Sequence, residues 1–411
     1  MHILFLSRWY PYPADNGSKI RIANLLQGLS QRHQVSLLSF YDPRQGEPDH
    51  RMLKTLCQEV QTVPWQPFHP QSWRARLGYF STIPRAYLDM YSEEMERRIR
   101  AILNRSQVDL VIASQIDMAA YATVFSGIPA IFEEVETGVF LDRIAQAGSR
   151  TARLRHRLTW LKHRRYLASL LKHFRACTVV SDQERRILER ELAIGKRVEV
   201  IPNCVDLNLF PPESSRPQPY SLVFTGSLTY QPNYQAIIWF LQEIFPRVLR
   251  QVPSTRFVIT GDHGNLPLPS LEGVTLTGLV ADVRPYLSGA WCSVVPLKTG
   301  GGTRLKILEA MAMRTPVVTT SKGAEGLEME SGVHGFIVDQ PQGFAEMILE
   351  LFRSPALRQQ IAANAYSFVQ RRYNWETVMP RFLELVEATV REDQQAVAVS
   401  QQVEHPRMDG D

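Results

Sequence analysis

Short apolar, β-branched runs alternate with amphipathic helical stretches along almost the whole chain, and this alternation constrains the fold more than any other feature. Such a pattern builds parallel sheets flanked by helices, because neighbouring parallel strands need a crossover long enough to hold a helix. In the first half, strands are expected at residues 2–7, 34–40, 108–114, 129–134, 176–181 and 198–202, with helices between them. Pro211, Pro212, Pro217 and Pro219 then interrupt the alternation, an extended linker by composition. It restarts with strands expected at 221–227, 256–261, 274–278, 292–296, 316–320 and 335–339. Helices are expected at 233–250, 282–290, 303–313, 343–353 and 356–371. A last amphipathic helix at 375–392 has no strand after it and is expected to cross back to the first domain, leaving 393–411 as a disordered tail.

At 411 residues the chain exceeds the usual size of one hydrophobic core, so two domains are expected, residues 1–205 and 206–374. The fold class is α/β, two Rossmann-like doubly wound domains facing across a cleft, with the carboxyl ends of both sheets turned to it. A content of 44% hydrophobic and 21% charged residues excludes a disordered chain. The opening apolar run is too short for a signal peptide or a spanning helix, which reads as a cytoplasmic protein. Four cysteines, Cys57, Cys177, Cys204 and Cys292, lie far apart without Cys-x-x-Cys spacing. They read as buried thiols in a reducing compartment, not as zinc ligands.

Residues 150–175, opened by Arg150 and closed by Arg175, hold nine Arg or Lys and no Asp or Glu, with Trp160 and several leucines interleaved. A basic helix with this composition suits an anionic membrane surface, at the inner face of a membrane, or a solvated helix whose leucines enter a core. No RNA- or DNA-binding pattern accompanies it, so nucleic acid is not expected as a partner.

The chemistry concentrates in Gly300, Gly301, Gly302, Thr303, Arg304, Lys306 and Glu309, a glycine run leading into a helix. Glycines let the backbone approach a ligand, and a helix start directs N–H groups and partial positive charge at an anion such as a diphosphate. Arg304 and Lys306 add charge at the helix end where the macrodipole prefers acids, so local helix stability does not explain them. Glu309 lies deeper, where a carboxylate can accept hydrogen bonds from vicinal hydroxyls such as those of a ribose. The competing reading is a Lys306/Glu309 surface pair after a flexible loop.

The second half resembles the family 4 glycosyltransferases of GT-B fold. The resemblance rests on Val223-Phe224-Thr225-Gly226-Ser227-Leu228, Phe257-Val258-Ile259-Thr260-Gly261, Val274-Thr275-Leu276-Thr277-Gly278, the stretch 300–318 with its Leu308-Glu309-Ala310-Met311-Ala312 core, and Gly335-Phe336-Ile337-Val338. In the first half it is sparser, covering residues 11–21, Val180-Ser181 and 200–206. The resemblance implies transfer of a sugar from a nucleotide-sugar donor to a glycan or lipid-linked acceptor, with retention and without cofactor or metal, in cell-surface polysaccharide or glycoconjugate biosynthesis. It implies donor-binding roles for Gly226, Ser227, Gly300, Gly301, Gly302, Thr303 and Glu309, and catalytic roles for Arg304, Lys306 and Glu309.

Glu309 matches the second acid of the family's Glu-x7-Glu motif, but Gly301 stands where the first acid is usual. The family's usual Arg and Lys after the first strand of the second domain are replaced by Ser227 and by Asn233 or a neighbour. Arg304 and Lys306 are the candidates to restore that charge. Asn16, Gly17 and Lys19 in the first loop are candidates for the acceptor or diphosphate. Glu133, Glu134 and Glu136 are weaker candidates for an acceptor-side base, against an exposed acidic strand end, and Glu325 is a weak donor-hydroxyl candidate. The altered motif keeps open two other readings, a catalytically weak nucleotide-sugar-binding scaffold and a nucleotide-sugar epimerase.

Overall fold

The computed structural model describes residues 1–404 except 193, 194, 196, 211–215 and 303, with side chains up to residue 396. The chain separates into two compact units, residues 1–201 with the chain from 379 onward, and residues 202–378.

The first unit contains β1 (His2–Ser7), α1 (Gly17–Ser30), β2 (Gln34–Tyr41), β3 (Glu59–Pro64), α2 (Trp73–Leu77), α3 (Arg85–Met90), α4 (Glu93–Arg105) and β4 (Leu110–Ser114). It continues with α5 (Gln115–Ala119), β5 (Ala130–Glu133), α6 (Gly138–Ala145), α7 (Arg150–Leu171), β6 (Ala176–Val179), α8 (Asp182–Leu192) and β7 (Arg197–Val200). Its seven strands run β3-β2-β1-β4-β5-β6-β7, each pair parallel. Ile3, Leu4, Phe5 and Leu6 of β1 are buried on both faces of the sheet, which is why that strand reads as a continuous apolar run. α1 begins where the Asn16 side chain accepts a hydrogen bond from Lys19 N at 3.1 Å, and it buries Ile22, Leu25, Leu26 and Leu29 on one stripe. β3 lies where no strand is expected from the sequence. It is an edge strand, half-buried along most of its length and ending in Pro64, so no apolar alternation is required of it.

The second unit contains β8 (Ser221–Thr225), α9 (Gln231–Trp239), α10 (Phe245–Gln251), β9 (Arg256–Thr260), β10 (Val274–Gly278), α11 (Arg284–Ser288) and β11 (Cys292–Val295). It goes on with α12 (Leu305–Ala312), β12 (Val317–Thr319), β13 (Phe336–Ile337), α13 (Pro341–Arg353) and α14 (Pro355–Arg372). The strand order is β10-β9-β8-β11-β12-β13, again parallel throughout. One apolar layer gathers Ile307, Leu308, Met311 and Val369, and a second gathers Phe224, Phe240, Phe257 and Phe344.

Three local expectations need correction. The helix expected at 233–250 is interrupted by a π turn at Phe240–Ile244, where Phe245 N bonds the Phe240 carbonyl. Pro246 has no N–H to continue the α ladder, and the wider turn keeps Phe240, Leu241 and Phe245 in the core. The helix expected from Thr303 starts at Leu305, and Thr303 itself lies outside the described residues. The last helix, α15 (Trp375–Glu404), does not stop at 392. Residues 393–404 are helical where a disordered tail was expected, since no Gly or Pro stands before Pro406 to end the helix; residues 405–411 lie outside the described residues.

Gly261 closes the turn after β9 with φ +112°. A Cβ there would stand 2.6 Å from the carbonyl carbon and oxygen of Gly226 and 2.8 Å from Ser227 N. Backbone cannot swing aside as a side chain can. Gly261→Ala is therefore expected to cost about 3 kcal/mol from overpacking and left-handed strain, seen as a lower unfolding midpoint by circular dichroism. Gly46→Ala, at φ +82° with nothing within 4 Å of its Cβ, should cost about 1 kcal/mol.

Candidate active site

In an open parallel sheet, ligands bind outside the carboxyl ends of the strands where the order reverses. In the second unit that point lies between β8 and β11. The loops leaving these strands carry Gly226 and Ser227 on one side and Gly300, Gly301, Gly302 and Arg304 on the other, with α12 opening beyond.

Lys306, in the first turn of α12, reaches across this point. Its Nζ donates to Asn233 Oδ1 at 2.9 Å and stands 4.1 Å from the centre of the Phe224 ring. Asn233 is buried and donates in turn to the Ser227 carbonyl at 2.7 Å. Gly226, at φ +133°, makes room: a Cβ would lie 2.7 Å from Lys306 Nζ and 3.0 Å from Asn233 Nδ2. The ammonium is thus positioned from below by an aromatic face and from the side by an amide. Removal from solvent, with Arg304 nearby, lowers its pKa to about 7, while Glu309 pulls the other way. Burial raises the Glu309 carboxyl, and Lys306 partly offsets the rise. These two residues are half-buried in α12 and belong to one electrostatic group rather than to an exposed surface pair.

Arg304 is not the mobile cation that its position in the sequence suggests. It is buried, its Nη2 donates to the Gly300 carbonyl at 2.7 Å, and its Nη1 donates to the Gly301 carbonyl. A further bond from Nη2 reaches the Lys322 carbonyl at 3.5 Å. The guanidinium therefore holds the glycine loop in shape. Gly300 and Gly302 are left-handed, at φ +102° and +80°, and Gly301 and Gly302 are exposed. Ser227 Oγ lies 2.6 Å from Thr229 Oγ1 and 3.1 Å from the Asp262 carbonyl. Glu325 forms an ion pair with Lys322 in the loop after β12.

In the first unit the order reverses between β1 and β4. Asn16 caps α1 beside it, Gly17 is the first residue of that helix, and Lys19 is buried with its Nζ 2.9 Å from Asp15 Oδ1. The acids at the end of β5 and just beyond it are not an exposed strand end. Glu133 is fully buried, receiving Arg21 Nε at 2.5 Å and Ser114 Oγ at 2.7 Å. Arg21, also fully buried, donates to the Ile201 carbonyl at 2.8 Å. Glu134 is buried as well, and only Glu136 is exposed.

Glu134 forms the end of a polar chain that no sequence pattern announces. Gln115 Nε2 donates to Glu134 Oε2 at 2.8 Å and lies 3.4 Å from Ser18 Oγ in the first turn of α1. Both Gln115 and Glu134 have positive φ, +67° and +59°, an uncommon state for non-glycine residues that the surrounding bonds must hold. Glu134 N is satisfied by Thr178 Oγ1 at 2.9 Å. Burial first, and the neighbouring Glu133 second, raise the Glu134 carboxyl well above the usual carboxylate range. Arg8, just after β1, is likewise buried, its guanidinium 4.4 Å and 3.9 Å from the Trp9 and Trp65 rings and 4.0 Å from Asp117. A cation directly after the first strand was the one available signal for it.

Comparison with known proteins agrees with this arrangement. The family model Glycosyltransferase Family 4 matches residues 15–209, and Glycosyl transferases group 1 matches residues 219–354. An uncharacterized 44.6 kDa protein of the cps region of Klebsiella pneumoniae is 27% identical over 38% of this chain and 44% of its own length. The Vi polysaccharide biosynthesis protein VipC/TviE of Salmonella typhi is 28% identical over 35% of this chain and 27% of its own length. The matched segments span less than half the length of either relative. Among solved structures, Anabaena HepE in complex with UDP and glucose superposes with a TM-score of 0.63 at 17% identity, covering 94% of this chain and 100% of that one. Two parallel Rossmann-like units, a glycine loop and helix at the switch point of the second, and the two family matches together place the chain in the group 1, family 4 glycosyltransferases of GT-B fold.

Proposed function

We propose that this protein transfers a sugar, with retention, from a nucleotide-sugar donor to a glycan or lipid-linked acceptor during synthesis of a cell-surface polysaccharide or related glycoconjugate. The observation that carries this reading is the Lys306 ammonium, held by Asn233 beside Gly226 at the switch point of the second unit. Breaking the bond from the anomeric carbon to phosphate leaves the electron pair on a nucleoside diphosphate. Lys306 and the N–H groups at the start of α12 stabilise that charge without a metal. The acceptor hydroxyl oxygen bonds the anomeric carbon, and its proton passes to the departing phosphate. Glu309 accepts hydrogen bonds from the ribose hydroxyls, while Gly301, Gly302, Gly226 and Ser227 offer backbone close to the donor. Arg304 acts through the loop it clasps. On the acceptor side we assign Glu134, oriented by Gln115, with Asn16 and Gly17 at the neighbouring helix start; Lys19, paired with Asp15, shapes that loop. The polysaccharide context draws support from the Vi polysaccharide relative, and the nucleotide from the UDP seen in HepE.

Calorimetric titration with UDP-, GDP-, TDP- and ADP-sugars tests the reading. One donor should bind selectively, and Glu309→Ala should weaken it about 30-fold through loss of two hydrogen bonds to a charged group. Absence of binding by every donor would overturn the donor site. Selective binding without turnover on any acceptor would instead support the scaffold reading, which the glycine at position 301 favours.

A further inference from the structure

The basic helix α7 does two different things along its length. Its second half enters the core through Trp160, His163, Leu167 and Leu170. Its first half does not: Arg150, Arg153, Arg155 and Arg157 are exposed, and so are Leu154 and Leu158, each at 59%. Leu154, Leu158 and Lys162 follow one another at helical spacing on a shared face. Lys162 Nζ donates to the Gly78 carbonyl, at the end of α2. That bond fastens the exposed stripe of α7 to the segment where the chain exposes its largest apolar side chains: Trp73 at 69%, Leu77, Tyr79, and Phe80 at 93%. The tip is built rather than frayed. Ser72 Oγ caps α2 by accepting from Ala75 N at 2.9 Å, and Arg85 stacks 3.9 Å from the Tyr79 ring while its Nη1 donates to Tyr79 Oη at 2.6 Å.

We propose that the 73–80 tip and the first half of α7 form one docking surface for an anionic lipid bilayer, the aromatic tip entering the interface and the α7 arginines resting on headgroups. Ordered exposure of Trp, Tyr and Phe at one point opposes folding in water unless something else covers them. Aromatic side chains with a polar end suit the boundary between headgroups and acyl chains. Arginines with long apolar stems set the charge sign of the partner as negative. The α7 stretch contains no acid that would answer this charge internally. No described helix is long and apolar enough to cross a membrane, so the contact is one of lying on the surface.

Sedimentation of the full chain with vesicles tests this, without any sugar nucleotide present. Vesicles of phosphatidylcholine with about a third phosphatidylglycerol should bind the protein at least tenfold more strongly than phosphatidylcholine alone, with the difference shrinking in high salt. Arg153→Gln with Arg157→Gln should weaken anionic binding about 30-fold. Leu77→Ser with Phe80→Ser should weaken binding to both vesicle types while leaving circular dichroism and donor affinity unchanged, since these side chains lie outside the core and the donor site. Failure of the wild-type chain to bind anionic vesicles overturns the proposal. So does self-association of the wild type that the Leu77/Phe80 variant abolishes, which would make a second copy the occupant.

Discussion

Lys306→Ala is expected to weaken donor binding about 100-fold and to flatten its pH dependence. Losing a partly desolvated, hydrogen-bonded ammonium opposite a diphosphate costs on the order of 3 kcal/mol. The free protein holds this amine near a pKa of about 7, against 10.5 in the unfolded chain. A diphosphate binds the charged form, so above pH 7 binding must draw a proton from solvent. Affinity in the wild type should therefore fall as pH rises above 7, and titrations at pH 8 in buffers of different ionisation enthalpy should reveal proton uptake. The same shift has an opposite sign in stability. Between pH 7 and 10.5 the unfolded chain binds more protons at this site than the folded one, so stability rises with pH there; below 7 the folded state carries the full penalty of a desolvated charge. Lys306→Met should thus bind donor poorly yet unfold at a higher midpoint than wild type at pH 6. Unchanged donor affinity in both variants would remove Lys306 from the site.

Arg21→Met should destabilise the first unit by about 4 kcal/mol, because it strands the Glu133 carboxylate in a site without solvent contact. Arg21 also ties α1 to the Ile201 carbonyl, so the loss reaches the end of the sheet. The partner variant separates charge from packing. With Glu133→Gln added, Ser114 Oγ keeps an acceptor and no charge is left unpaired, so the double variant should recover most of the stability. Chemical denaturation followed by circular dichroism checks both, and purely additive losses would show that the pair has no coupling.

Strands buried on both faces were readable directly: β1, β4, β8 and β12 carry apolar runs with polar residues only at their ends, as strands covered on both faces of a parallel sheet do. The glycine loop and its helix were readable for the same local reason, since glycines and a change of hydrophobic period lie within a few residues of each other. β3 was not, because an edge strand has one neighbour and needs no apolar alternation. Arg304 and Lys306 show the limit most clearly. Two residues apart, they look alike as charges beside a glycine run. The fold turns one inward to clasp the loop's carbonyls and sends the other across to Asn233, 73 positions earlier in the chain. Glu133 and Glu134 divide in the same way, one into an ion pair with Arg21 and one into a chain with Gln115. Periodicity and turn residues report how each segment is buried, because burial is decided locally by which face is apolar. Which polar groups then meet depends on strand order and on contacts between distant residues, and these exist only once the sheets have assembled.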